Sequence, residues 1–266
     1  MGATANRLFT VTYGTELVPK SLSVLGAGSH VLATPIFGVV VDTEDGLVLL
    51  DTGISRQALN DPPALTAIYG AERHPYGPAG NPLEVALGTL GYRVQDIALA
   101  AVSHLHLDHS GGVPLLAEEG VPIAVQAREL EYGLARARDG SELDVAFYRS
   151  DYTDPSIDWR RIDGDERLAP GVYSLATPGH TPGHMSHRVD LRDTGTWIFA
   201  ADAADLGENL LEGVPCGSVA DPADTDRARA SVHRLIEEGD RLNARVVPGH
   251  DPVFWRAIWH PPGGHR

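Results

Sequence analysis

Residues 103–112 read Ser103-His104-Leu105-His106-Leu107-Asp108-His109-Ser110-Gly111-Gly112, with three histidines and a carboxylate crowded into six positions. Neutral imidazole and ionised carboxylate are the common ligands of zinc and other first-row divalent ions. In extended backbone alternate side chains share a face, so His104, His106 and Asp108 are expected to point one way. His109 then turns toward a second point, and this spacing suits two neighbouring ions better than one. A solvated histidine-rich loop is the bland alternative. Four ligand-type residues followed by a glycine turn weigh against it.

The element that must present this stretch is a buried strand over residues 97–102, with the motif at its carboxyl end, where open α/β folds place their ligands. Upstream, residues 8–31 are short and apolar, with turns expected at Gly14 and at 26–28. Residues 36–42 are rich in β-branched side chains and read as a buried strand. Asp45-Gly46 supplies a hairpin turn, and residues 47–50 return as a strand that ends in Asp51-Thr52-Gly53. Asp51 is either a surface cap or the acceptor that fixes a metal-bound histidine, and the second reading is preferred. Residues 56–80, rich in Pro, Ala and Gly, read as an irregular wall or lid, with His74 and Tyr76 as loop residues without chemistry. Asn81 as N-cap, Pro82 at the first helical position and Glu84 at the capping-box position start a helix striped by Leu83, Ala86, Leu87 and Leu90. A strand over 121–125, a helix over 127–138 and a polar, aromatic cover over 139–166 follow.

The second half partly repeats the first. A strand over 171–176 runs into Thr177-Pro178-Gly179-His180-Thr181-Pro182-Gly183-His184, a strand over 196–201 ends in Asp202, and a strand over 245–247 ends in Pro248-Gly249-His250. Between the last two, residues 222–238 form an amphipathic helix that Gly239 is expected to stop. Strand, then His or Asp, then glycine recurs in both halves, which predicts two similar layers meeting at one shared site. His30, His260 and His265 have no companions at ligand spacing, and His233 lies off the apolar stripe. His184 and His187 are read as hydrogen-bonding or structural.

Composition narrows the partners. A formal charge of -15 over 266 residues argues against a nucleic-acid or anionic-membrane surface. The single cysteine, Cys216, allows no intrachain disulfide and is read as a small buried or loop residue. With no basic and apolar leader visible in the first residues and no apolar run of spanning length, the expectation is a cytoplasmic protein.

In the order Asp51-Thr52-Gly53, His104-x-His106-x-Asp108-His109, His180, Asp202 and His250, the chain resembles the metallo-β-lactamase superfamily across nearly its whole length. Within it, residues 103–112, the doubled Pro-Gly-His and Asp202-Ala203 followed by Glu208-Asn209 look most like the N-acyl-homoserine lactonases. The resemblance implies an α/β fold over a single domain, residues 1–266, in which two mixed β-sheets pack face to face with helices on the outer faces. It implies one metal on His104, His106 and His180, another on Asp108, His109 and His250, and Asp202 bridging them. A hydroxide shared by the ions would attack the carbonyl of a small lactone, and Asp108 would pass a proton to the leaving group. Two divalent ions are expected, zinc first, with manganese, iron or cobalt also compatible. Esters and thioesters are the nearest alternative substrates, and a non-catalytic binding homologue is a more remote one. The lactonases carry a tyrosine three residues after the bridging aspartate, to contact the substrate carbonyl, whereas this chain has Asp205. An ionised carboxylate cannot donate that bond, so either another donor supplies it or the substrate differs. The tryptophan-bearing tail, residues 255–262, could line an acyl pocket or a homodimer contact, with simple packing preferred.

Overall fold

The computed structural model describes residues 4–257 and 260–266. Its first sheet has six strands in sequence order: β1 (Arg7–Pro19), β2 (Val31–Thr43), β3 (Gly46–Leu50), β4 (Ile97–Ala101), β5 (Ile123–Gln126) and β6 (Trp159–Ile162). The β1–β2–β3 meander is antiparallel, and β3 to β6 run parallel through helical crossovers. The second sheet orders β11 (Arg245–Val247), β10 (Gly195–Phe199), β9 (Met185–Leu191), β8 (Val172–Ala176) and β7 (Glu166–Ala169), and only its β10–β11 pair is parallel.

Strand alternation explains why both faces of each sheet are covered. Val39, Val41, Val48 and Leu50 point to the layer between the sheets, where Val172, Met185, Val189, Trp197, Phe199 and Val247 meet them. The alternate residues Val40 and Leu49 point outward, against the helices Pro62–Tyr69 and Pro82–Thr89. Ile198, between Trp197 and Phe199, faces the opposite way and packs with Leu235 of the helix Thr225–Leu242. A side-chain period of two therefore builds a helix–sheet–sheet–helix sandwich from strands that are apolar on both sides.

Several sequence expectations need correction. Gly14 does not end a strand: β1 runs through it, and the register slips between Thr12 and Gly14 as a β-bulge. Residues 56–80 are not irregular throughout, because Ser55 and Asp61 cap two helices, Arg56–Leu59 and Pro62–Tyr69. Asn81 caps the next helix, accepting from Leu83 N, but Glu84 closes no capping box. Gly239 does not stop the helix; it lies inside Thr225–Leu242, close against Val246, and left-handed Asn243 (φ 49°) ends it. Trp255 packs on Phe37 with ring centroids 3.7 Å apart, while Trp259 lies outside the described residues.

Candidate metal centre

Five strands release the chain at one edge of the sandwich, and each delivers part of the site there. Asp51 follows β3, the residues 103–110 follow β4, His180 and His184 lie on the loop from β8 to β9, Asp202 follows β10, and His250 follows β11. Asp51 (φ 57°) and Ala201 (φ 46°) hold left-handed backbone at two of these exits. Non-glycine residues pay for that conformation with strain that is typically kept where it aims a functional group.

The donors fall into two groups. His104 Nε2 lies 2.9 Å from His106 Nδ1, His180 Nε2 lies 3.1 Å from the same atom, and Asp202 Oδ2 is 3.2 Å from His180 Nε2 and 3.7 Å from His104 Nε2. His109 Nε2 lies 3.2 Å from His250 Nε2 and 3.3 Å from Asp108 Oδ2. Asp202 Oδ1 is 3.1 Å from both His109 Nε2 and His250 Nε2, so its two oxygens serve the two groups. Asp108 therefore does not share a face with His104 and His106. The backbone leaves the extended form at Leu107, and the helical turn Leu107–Ser110 swings Asp108 to the side of His109 and His250.

These donors fit divalent cations. Ligands about 2.0–2.1 Å from a tetrahedral zinc are spaced about 3.3 Å from one another, within the range seen here. His180 gives its Nδ1 hydrogen to Ser218 O (2.9 Å) and His250 gives its own to Pro35 O (2.9 Å), while His109 Nδ1 faces Asp51 Oδ2 at 3.0 Å. The Nε2 lone pairs of His109 and His250 then face one another, an arrangement that is repulsive unless a cation lies between them. Burial holds His106 down at about 3 and His104 well below the usual histidine range, which keeps both neutral. Burial alone would raise Asp202, but positive charge beside it, which protonated His109 and His250 rings carry when no cation does, outweighs burial and holds that carboxyl well below its ordinary value.

The surrounding contacts orient the donors. Asp51 Oδ1 also accepts from Ser103 N at 2.7 Å, and Thr52 Oγ1 donates to His109 O at 2.8 Å, so the Asp-Thr pair after β3 fixes both ends of the histidine loop. His184 does not join either donor group. Its Nε2 accepts from Asp202 N at 3.1 Å and its Nδ1 faces Thr177, which sets the backbone of the shared carboxylate. Cys216 is buried and donates to Asp202 O and Asp205 Oδ1, both at 3.1 Å.

The match to the superfamily model spans residues 33–250 and has the description metallo-beta-lactamase superfamily. The chain belongs to the metallo-beta-lactamase superfamily. Among curated superfamily members, an N-acyl homoserine lactonase of Bacillus cereus is 29% identical over 255 residues, covering 93% of this chain and 94% of the relative. Another, from a Bacillus species, is 30% identical over 251 residues with the same coverage. A solved N-acyl homoserine lactone hydrolase with N-hexanoyl-L-homoserine at its catalytic metal centre superposes with a TM-score of 0.85 at 27% identity, covering 97% of this chain and 98% of that one.

Sequence reasoning overlooked three residues of this metallo-beta-lactamase edge. Glu129, fully buried near the start of the helix Ala127–Asp139, accepts from Leu105 N (3.0 Å) and Gly183 N (2.9 Å), tying the two histidine loops together. The available signal was a glutamate that shares its helix face with Gly133. Glu16 and Tyr69 line the cleft above the donors, together with His106, Asp108, His180, Asp202 and Asp205. Glu16 was hidden by the bulge at Gly14, which shifts the strand period and turns residue 16 inward. Burial, reinforced by Asp108, pushes Glu16 up to about 8, and burial with Asp202 pushes Asp205 up to about 7. Among the described residues no helix is long and apolar enough to cross a membrane.

Proposed function

We propose that this chain, acting as one domain over residues 1–266, opens the ring of N-acyl homoserine lactones or related small lactones by hydrolysis. The observation that carries the reading is the shared carboxylate. Asp202 offers one oxygen to each of two donor groups, at the floor of a cleft partly walled by Val18, Leu22 and Ile68. Nearly full-length similarity to proteins described as N-acyl homoserine lactonases supports the substrate class.

His104, His106 and His180 would hold one divalent ion, Asp108, His109 and His250 a second, with Asp202 common to both; zinc is the proposed metal, and manganese, iron and cobalt suit the same donors. When bound, such ions bring the pKa of water down to about 7 and polarise a carbonyl oxygen. Asp51 and His184 hold the donors in place. Asp108 lines the cleft and is the residue proposed to hand a proton to the leaving oxygen. Asp205, where a tyrosine is expected, favours a second reading in which the carbonyl substrate is a different ester or a thioester.

The reading is tested by proton release from the metal-loaded protein, offered acyl-homoserine lactones, simple lactones, aryl esters and thioesters in turn. Lactone opening, two ions per chain by elemental analysis, loss of activity in chelator and loss in His106→Ala are expected. Turnover confined to thioesters would transfer the assignment to the second reading. A cytoplasmic location and a homodimer belong to the same proposal, and fractionation and sedimentation velocity test them.

A further inference from the structure

A carbonyl entering the cleft meets an unusually acidic wall, with Glu16, Asp108, Asp202 and Asp205 all in its lining. Negative charge developing on the carbonyl oxygen is opposed by every one of these groups that is ionised, so a hydrogen-bond donor aimed into the cleft matters more here than in a neutral site. Donors in the lining are few. Ser218 already gives its hydroxyl to Leu22 O at 3.1 Å, Ser23 is buried in the lining with a short hydroxyl that has no partner, and Arg73 is only half-buried at the rim. Tyr69 is different: it ends the helix Pro62–Tyr69, is 7% exposed, and lines the same cleft as the donor groups.

The Tyr69 hydroxyl lies 3.2 Å from Glu16 Oε2. Glu16 Oε1 is held in turn by the Thr34 hydroxyl at 3.2 Å and stands 3.7 Å from His250 Nδ1, so the phenol sits on the side of the cleft served by His109 and His250. A bond of this length is looser than the usual O–H···O distance of about 2.7–2.8 Å. Rotation about the Cζ–O bond therefore releases the hydrogen to a better-placed acceptor.

We propose, on the basis of the hydrolytic reading above, that Tyr69 contacts the substrate. Its hydroxyl turns from Glu16 Oε2 and donates its one hydrogen to the carbonyl oxygen under attack, the bond that Asp205 does not supply, while Glu16, held by Thr34, orients the phenol before the substrate enters. The hydrogen stays on the phenol throughout, and no proton is transferred. The donor thus comes from the helix before the histidine motif rather than from the turn after Asp202, and the bulge at Gly14 is the device that brings its positioning carboxyl into the cleft.

The test uses the full metal-loaded chain with N-hexanoyl homoserine lactone and Tyr69→Phe, which keeps the ring and removes the hydroxyl. The expected result is a fall in kcat of roughly 10²–10³ with KM changed little, the behaviour of a donor that acts mainly on the transition state. Metal content and Tm should match wild type, and calorimetry should show the ring-opened acid binding several-fold more weakly. Adding Asp205→Tyr to Tyr69→Phe should restore at least about tenfold of the loss, which no structural role for Tyr69 explains. Glu16→Leu should lower kcat, and Glu16→Gln should recover most of it. Wild-type kcat in Tyr69→Phe, loss of metal or of folding in that variant, or a loss confined to Arg73→Gln or Ser23→Ala would each overturn the proposal. Wild-type protein that opens no lactone and no ester would overturn the functional reading and this one with it.

Discussion

Asp51 accepts from Ser103 N and faces His109 Nδ1, so one carboxylate fixes the start of the histidine loop and the ring of one donor. Removing the partner of a metal-binding histidine typically costs 10–100-fold in affinity. Asp51→Ala is accordingly expected to weaken metal binding by about that factor, read by competition with a chromophoric chelator. Glu129 does the comparable job for backbone. Glu129→Ala strands the amides of Leu105 and Gly183 in a buried site, at about 1–3 kcal/mol for each. Thermal unfolding should show Tm lower by several degrees. An unchanged Tm would mean that water replaces the carboxylate without loss. At this scale the sequence was readable where residues sit close together, as in 103–112, and silent where one side chain serves two distant loops. Glu129 reaches residues 105 and 183 only because the chain has folded.

Loops carry the donors, and glycines set how closely those loops approach their supports. A Cβ on Gly111 would sit 2.0 Å from Ser55 N, and one on Gly183 would sit 2.2 Å from Glu129 N. Both neighbours are backbone atoms that cannot move aside cheaply. Gly111→Ala should therefore destabilise the protein by several kcal/mol, on the order of an overpacked core change or more. Soluble, metal-replete Gly111→Ala with wild-type Tm would show that the β3 exit can shift. The strands β2, β3, β4 and β10 were legible because their apolar runs are short and bounded by turn or polar residues. β7 and β9 were not, since Arg167, His187 and Arg188 interrupt the apolar pattern that marks a strand. The helix Pro62–Tyr69 was legible in principle, from Asp61 before Pro62, but its alanine and proline content masked it.

Across the whole molecule, burial of acids makes stability depend on pH. Asp151 is 1% exposed, its two oxygens have no hydrogen-bond partner, and burial pushes it up to about 8. In the unfolded chain the same carboxyl ionises near 4. Between those values the folded state binds more protons than the unfolded one, so this group's contribution to stability falls as pH rises from about 4 to about 8 and is flat above. Asp151→Asn removes that penalty. Its stability relative to wild type should grow through this window, by at most about 1.4 kcal/mol per pH unit, when chemical unfolding is measured from pH 5 to 9. A constant difference across that range would show that Asp151 is ionised in the fold.

The sequence by itself determined the donor chemistry and many of the strands, and its resemblance to the superfamily implied the sandwich. Ligand types at fixed short spacing, and strands apolar on both faces, follow from residue identity and period, which local backbone geometry translates directly. The tertiary structure decided how the side chains of those donors come to face one another and what lines the cleft. Asp108 leaves the face of His104 and His106, where extended backbone alone would put it, because one helical turn begins at Leu107, and Glu16 entered the cleft because one bulge shifts the period of β1. Each is a rotation of a side chain about the backbone axis, set by packing against strands far away in the chain, and no spacing along the chain encodes it.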